Sequence, residues 1–299
     1  MIQEPPKYPA RIAAIPSMKL GPLLFLLYLI ILNGSTLGQA QRSKTLTLDQ
    51  IINRLDANLA LYESTVPNLF CDEHAVSERF PARNSQIRTT DSVFRLKRVP
   101  QPDGTATIEE SREVKTINGR PARPDDNAIP AIVHGAFSGG LAAVSNSQKS
   151  CMNYTLRPRR PDRPNSPYII QFKSLYDEKH PAKCLLREEG SGQIIIDPVS
   201  LQATRMELTA PQHVIFPEAH GPNGQFIPQI VGEWQFAVDY APVSLGGQTF
   251  WIPATVTSNA TAATGGAEAT VWTFKAHYSN YHELKVKSRV LSIENSGAH

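Results

Sequence analysis

The chain has 299 residues, 41% of them hydrophobic and 19% charged, a globular balance that argues against disorder and supplies enough apolar material for a real core. Its formal net charge is +3, and no clustered basic face stands out, so nucleic acid is not expected as a partner. The 24 prolines and 18 glycines call for many turns, which suits a strand-rich protein better than a helix bundle.

The N-terminus carries the strongest signal. Lys19 precedes an apolar run, Leu23 to Leu32, and small residues follow up to Gly38-Gln39-Ala40. A basic flank, about ten apolar residues and a small-x-small site make a secretory signal. The run is short of the roughly 20 residues that a spanning helix needs, so no permanent membrane span is expected. Met18 offers an internal start, because MKLGPLLFLLYLIIL already reads as a complete signal. The expected division is a signal peptide over 1–40 and a single β-rich domain over 41–299, working in the periplasm or secreted.

The first element of that domain is an amphipathic helix over 47–63. Thr47 and Gln50 form a capping box, and Leu48, Ile51, Ile52, Leu55 and Leu59 make one apolar stripe. The helix ends before Pro67, and a strand follows over 70–80. The period then changes from helical to two. Phe94 and Leu96 alternate with Arg95 and Lys97, and residues 106–117 run back to an Asn118-Gly119 hairpin turn. Residues 129–147 are apolar and Ala-rich, and read as a second helix broken at Gly139-Gly140. Residues 157–164 read as a basic, proline-rich loop. Ile194 to Ile196, an Asp197-Pro198 turn and a strand over 201–208 follow. Residues 210–232, with four prolines, read as a long irregular loop. Trp234, Phe236, Val238 and Tyr240 alternate with polar or small residues. Gly246-Gly247 turns the chain into 250–257, and Trp272, Phe274, Ala276 and Tyr278 alternate again. Leu284, Val286 and Val290 close the domain. Such alternation belongs to antiparallel sheets with one solvated face.

Chemistry-bearing motifs are scarce. Of the three cysteines, Cys151 and Cys184 each start a strand-like run and are the expected disulfide, with Cys71 left as a small buried hydrophobe. His277 and His282 are five apart, which on a strand places them on opposite faces, and no ligand spacing of a known metal site occurs. Ser138 does not lie in a G-x-S-x-G elbow. Arg157, Arg159, Arg160 and Arg163 belong to a solvated loop unless they converge on one face. No catalytic residue, metal or cofactor is therefore expected.

Several segments together carry a resemblance. They are Val66-Pro67-Asn68-Leu69-Phe70-Cys71-Asp72-Glu73, Arg112-Glu113-Val114, Ile117 to Pro121, His134-Gly135-Ala136-Phe137, Gly192 to Pro198, and Ala276 to Tyr281. Their order resembles a group of exported proteins of acidobacteria, to which no activity is attached. More distantly, the order of elements is similar to that of periplasmic lipoprotein-carrier and lipoprotein-sorting proteins. The Gly192–Pro198 segment, followed by a strand bearing Arg205 and Glu207, looks like their central hairpin. The alternating runs read as an α+β domain with an antiparallel sheet of about nine to eleven strands, and this resemblance implies that the sheet is strongly curved, a half-barrel with helices covering the concave face.

The expected function is that of a non-catalytic periplasmic binding protein for a hydrophobic or lipidated ligand, an acyl chain or a lipoprotein. The alternative is an envelope protein–protein interaction or assembly module, and an enzyme ranks third. A ligand lodged between helices and sheet would meet Leu55 and Leu59 of the first helix, Ile132 and Phe137 of the second, and Trp234, Phe236, Trp272 and Phe274 of the sheet. The mature chain is expected to begin at Gln41. N-terminal sequencing of the envelope fraction checks this, and a chain retaining Leu23–Leu32 rules out a cleaved signal.

Overall fold

The computed structural model describes residues 46–80, 85–102, 106–123, 135–137, 141–159, 163, 165–175, 184–186, 188–220, 226–264 and 267–285. The expected signal peptide lies outside them, as do Ile132, Gly139, Gly140, Arg160, Val286 and Val290. Eleven strands form one open antiparallel sheet, accompanied among the described residues by one α-helix, α1 (Leu48–Thr65). The strands are β1 (Leu69–Arg79), β2 (Gln86–Pro100), β3 (Ala106–Ile117), β4 (Arg120–Pro121), β5 (Met152–Leu156), β6 (Tyr168–Ser174), β7 (Ser191–Ile196), β8 (Ala203–His220), β9 (Phe226–Leu245), β10 (Gln248–Thr264) and β11 (Ala267–Glu283). Their spatial order is β4-β3-β2-β1-β11-β10-β9-β8-β7-β6-β5. Two meanders, β1–β4 and β5–β11, are thus joined along β1 and β11, the first and last of these strands in sequence.

Helix α1 forms as the capping signal implies. The Thr47 backbone N–H donates to Gln50 Oε1 (2.9 Å), and the Gln50 N–H donates to Thr47 Oγ1 (3.3 Å), satisfying two of the orphan donors of the first turn. At the far end, Pro67 drives Val66 out of the helical region (ψ 126°), which stops the helix. Ile51, Ile52 and Leu55 are its buried face, each worth about 2 kcal/mol of burial. Side chains fasten it on several sides. Asn58 Nδ2 donates to Leu201 O (3.0 Å), Asp56 accepts from the Asn146 backbone and side chain (2.9 and 2.8 Å), and Arg98 Nη1 donates to Ser64 O.

The hairpin signals hold where φ can be checked. Asn118 and Gly119 both have positive φ (50° and 76°), as the tight turn between β3 and β4 requires. Gly192 has a different reason. A Cβ there would lie 2.1 Å from Glu207 O on β8 and 2.4 Å from the Phe172 ring on β6, so the middle of this ladder admits no side chain.

Two expectations are corrected. No second helix forms over the described part of 129–147. Residues 142–144 and 146–148 are two 3-10 turns instead. Ser145 and Ser147 favour local side-chain bonding over helix, and their Oγ atoms share a 2.6 Å hydrogen bond. Among the described residues, one α-helix and two 3-10 turns accompany the sheet. Residues 210–232 are not an irregular loop either: β8 runs to His220 and β9 starts at Phe226, paired from His220↔Phe226 back to Pro211↔Glu233. β7 pairs with β8 only as far as Thr209, so Pro211 sits where β8 has become an edge, the place in a sheet that tolerates proline.

Among the described residues the core contains an ion pair with buried side chains. Glu73 on β1 and Arg112 on β3 have side chains 2% and 4% exposed, with Arg112 Nε 2.9 and 2.8 Å from the two carboxylate oxygens. The Tyr278 hydroxyl on β11 donates to Glu73 Oε1 (2.7 Å) and accepts from Arg112 Nη2 (3.3 Å). Burial, then the neighbouring Glu73 charge, pushes the Tyr278 phenol well above its usual range, so it stays a donor. The Arg112 guanidinium lies 4.9 Å from the centre of the Phe94 ring. Cys71 is buried beside this group. Its thiol is pushed up to about 12 by burial and then by Glu73, which makes it unreactive. Removing one partner of such a pair strands the other charge. Glu73→Gln is expected to cost about 3–5 kcal/mol of unfolding free energy in urea melts. A change below about 1 kcal/mol means that the pair is not buried in solution.

Candidate functional site: a cavity beside the helix

The stripe that buries Ile51 and Leu55 continues along α1 to Leu59 and Tyr62, at i, i+4 and i+7 from Leu55, so these three share one side of the helix. That side borders a cavity of about 320 Å³. At roughly 30 Å³ per water-sized group, this is room for about ten such groups. The helix contributes Leu55, Asn58, Leu59, Leu61, Tyr62 and Thr65. Opposite stand Ala136, Phe137, Leu141, Gln202, Tyr240 on β9 and the start of β10, residues 248–251 and Pro253. Most of the lining surface is apolar. Leu61 is 60% exposed although it borders the cavity, which marks the open lip.

Phe137 is the best-held part of the wall. Glu110 on β3 accepts the backbone N–H groups of Gly135 and Phe137 through its two carboxylate oxygens, each at 3.0 Å. Gly135 has φ 87°, a conformation that suits glycine. The Phe137 ring stacks on Phe94 (4.4 Å between centroids) and meets Tyr278 edge-on (4.9 Å). One face of the ring is therefore over the aromatic cover of the Glu73–Arg112 pair, and the residue also borders the cavity. Burial of this kind keeps the apolar space and the buried charges apart.

The sequence-expected residues separate into two groups. Leu55, Leu59 and Phe137 line the cavity. Trp234, Phe236, Trp272 and Phe274 do not. They gather around Ala260 of β10, which pairs with both Trp234 and Trp272, and their rings stack pairwise at 5.6 and 6.1 Å. Phe236 and Phe274 are core residues that border a shallow, more polar groove with Arg205, Glu207, Gln235 and Asn259. Six residues separate Trp234 from Tyr240, about 20 Å along a strand, which is why a shared alternation does not mean a shared site. In the basic loop, the Arg159 guanidinium lies 4.4 Å from the centre of the Tyr168 ring. Cys151 and Cys184 are joined, with 2.05 Å between sulfurs and 5.6 Å between Cα atoms, and tie the start of β5 to the segment before β7.

Tyr62, Tyr240 and Trp251 are cavity residues that the sequence reading did not single out. Tyr62 continues the helix stripe by one turn, and Tyr240 ends the buried phase of β9. Each carried a signal of phase but none of depth. Among the described residues there is no group of three or more His, Cys, Asp or Glu side chains placed to hold a metal ion, and no helix is long and apolar enough to cross a membrane.

No family model matches the chain, and no curated protein does. Solved structures resemble it distantly. A LolA superfamily protein from Nitrosomonas europaea is 8% identical, with a TM-score of 0.32 over 81% of this chain and 96% of that one. A DUF1329 family protein from Desulfovibrio piger is 8% identical, with a TM-score of 0.35 over 78% and 90%. A domain assigned to outer membrane lipoprotein sorting from Vibrio parahaemolyticus is 8% identical, with a TM-score of 0.32 over 76% and 90%.

Proposed function

We propose that the chain is an exported, non-catalytic binding protein that lodges the apolar part of a hydrophobic or acylated ligand between α1 and the sheet. The observation that carries this reading is the cavity of about 320 Å³, apolar over most of its lining and open at Leu61. Ligand pockets have this character: mainly hydrophobic walls with a few placed polar groups. The sheet of this reading is curled into a half-barrel. Helix α1 packs against both β3 and β5, which stand nine strands apart in the order. In a flat sheet those strands would be ~43 Å apart, whereas 18 helical residues span ~27 Å. A sheet bent around α1 brings the two ends within its reach. The polar interior belongs to structure in this account. Glu73, Arg112 and Tyr278 satisfy one another and are screened from the cavity by Phe137, so they offer no open position to a substrate.

Cleavage after Ala40 delivers residues 41–299 as one domain to the periplasm or beyond, where the Cys151–Cys184 bridge forms by oxidation. Peptide mapping without reductant is expected to recover that pair with Cys71 free. A bridge containing Cys71 would contradict the arrangement of β1.

The cavity itself is tested by filling it. Leu59→Trp places a large ring in the space. Uptake of the neutral probe N-phenyl-1-naphthylamine is expected to fall at least tenfold, with the melting temperature within a few degrees of the parent. If the parent chain takes up no probe, the binding reading is lost and the interaction module takes its place.

A further inference from the structure

The cavity has a closed end and an open one. Of its lining, Leu55, Ala136, Phe137, Tyr240 and Phe250 are between 2% and 8% exposed. Leu61 is 60% exposed, and Gln248 and Thr249 are exposed as well. At the closed end, Leu55 belongs to the helix, and Tyr240 and Phe250 belong to the sheet. Ala136 and Phe137 belong to neither element. Phe137 is held there by residues that do not themselves line the cavity. Its ring stacks on Phe94 of β2 and meets Tyr278 of β11 edge-on, and Glu110 of β3 accepts its backbone N–H. Beyond those two rings stands the Glu73–Arg112 pair: the Tyr278 hydroxyl bonds to both members, and the guanidinium lies against the Phe94 ring. An alkyl chain that pushed Phe137 aside would lose the ring contacts and meet buried charges whose hydrogen bonds are already made. Neither step returns any free energy to the chain.

We infer that Phe137 is the stop of a chain-length ruler, so that the site discriminates against alkyl chains shorter than about ten carbons and gains nothing from longer ones. This rests on the binding function proposed above and adds to it a length limit and the residue that sets it. The limit follows from volume. A methylene group takes up about as much space as a water molecule, so the 320 Å³ of the cavity receives about ten of them. Each of these leaves water for an apolar wall and strengthens binding about fourfold. Further carbons pass the lip at Leu61 and stay in water, where they add little. The lip does not exclude a longer chain; it leaves the surplus unrewarded. Discrimination is therefore steep below the limit and flat above it, and the position of the break depends on what closes the inner end.

Displacement of N-phenyl-1-naphthylamine by the 1-alkanols from hexanol to tetradecanol tests the ruler. For the parent chain, displacement is expected to strengthen about fourfold with each added carbon up to about decanol and then to level off. Phe137→Leu takes three carbon atoms from the closed end, and the series is expected to level about two to three carbons later. Ala136→Leu adds three at the same end, and the series is expected to level about two to three carbons earlier. The break is read within each variant's own series, so a general loss of stability or of probe affinity leaves it where it was. If the parent series climbs without a break to tetradecanol, the cavity has no stop and the ruler is wrong, while the apolar site stands. If the break falls at the same length in the parent and both variants, Phe137 does not set it. Should Phe137→Leu fail to fold, the Ala136→Leu series decides, and an unmoved break there overturns the assignment. If the parent binds neither the probe nor any alkanol, the ruler and the binding function fall together.

Discussion

The ladder between β1 and β11 is the joint on which the rest of the molecule depends. It pairs Leu69 with Glu283 and Arg79 with Trp272, close to the two ends of the folded chain, and without it the two meanders have no edge in common. Contacts so distant in sequence carry a large closure entropy and form slowly. The buried side chains along this joint match that demand. Tyr278 on β11, Glu73 on β1 and Arg112 on β3 link three strands by charge-assisted hydrogen bonds inside the core. Such a triad adds little net stability compared with a well-packed apolar replacement, but it fixes register. A one-residue slip of β1 would turn Glu73 outward and place Asp72 or His74 in the core.

The cavity depends on that joint at one remove. Phe94 and Tyr278 form the aromatic seat for Phe137, and Glu110 holds the backbone of the same residue. This wall is fastened by a carboxylate, two rings and a glycine turn. The opposite wall belongs to α1, itself fastened through Asp56, Asn58 and Ser64 to three separate parts of the chain. Both walls are held by polar contacts, which leaves apolar side chains free towards the space between. An ordinary core would use those faces to meet each other.

How much of this could be read from sequence follows from which signals are local. The helix was legible because its cap, stripe and terminating proline lie within twenty residues. The strands from 234 to 278 were legible because alternation is a two-residue signal. The β8–β9 arm was hidden by its prolines. Those residues exclude a central strand but permit an edge, and whether β8 has a neighbour beyond Thr209 depends on where β7 begins. The described part of 129–147 is not helical where Ser145 and Ser147 bond to each other, an effect that apolar content does not reveal. Glu73 shares its phase with the buried Leu69, Cys71 and Ala75, so its inward direction was present in the pattern. Its partner Arg112, 39 residues away, was not. Likewise the helix phase places Leu55 and Leu59 beside the cavity, whereas Trp234 and Trp272 share the sheet's alternation but stand elsewhere along it.

The cavity is costly enough to require a reason. If a space of 320 Å³ with apolar walls were sealed and empty, it would forfeit about 8 kcal/mol at the value measured for engineered cavities, comparable to the whole stability of a typical domain. The open lip at Leu61 lowers that cost, because water covers part of the walls, but the wetted apolar surface still contributes nothing to folding. A larger residue at Ala136 or Leu59 would close the gap, and the chain instead keeps a small residue at Ala136. The free energy missing from the folded chain is of the kind that a bound apolar group supplies by contact with the apolar wall. The stability deficit and the binding energy are then the same unsatisfied surface, counted once without the ligand and once with it.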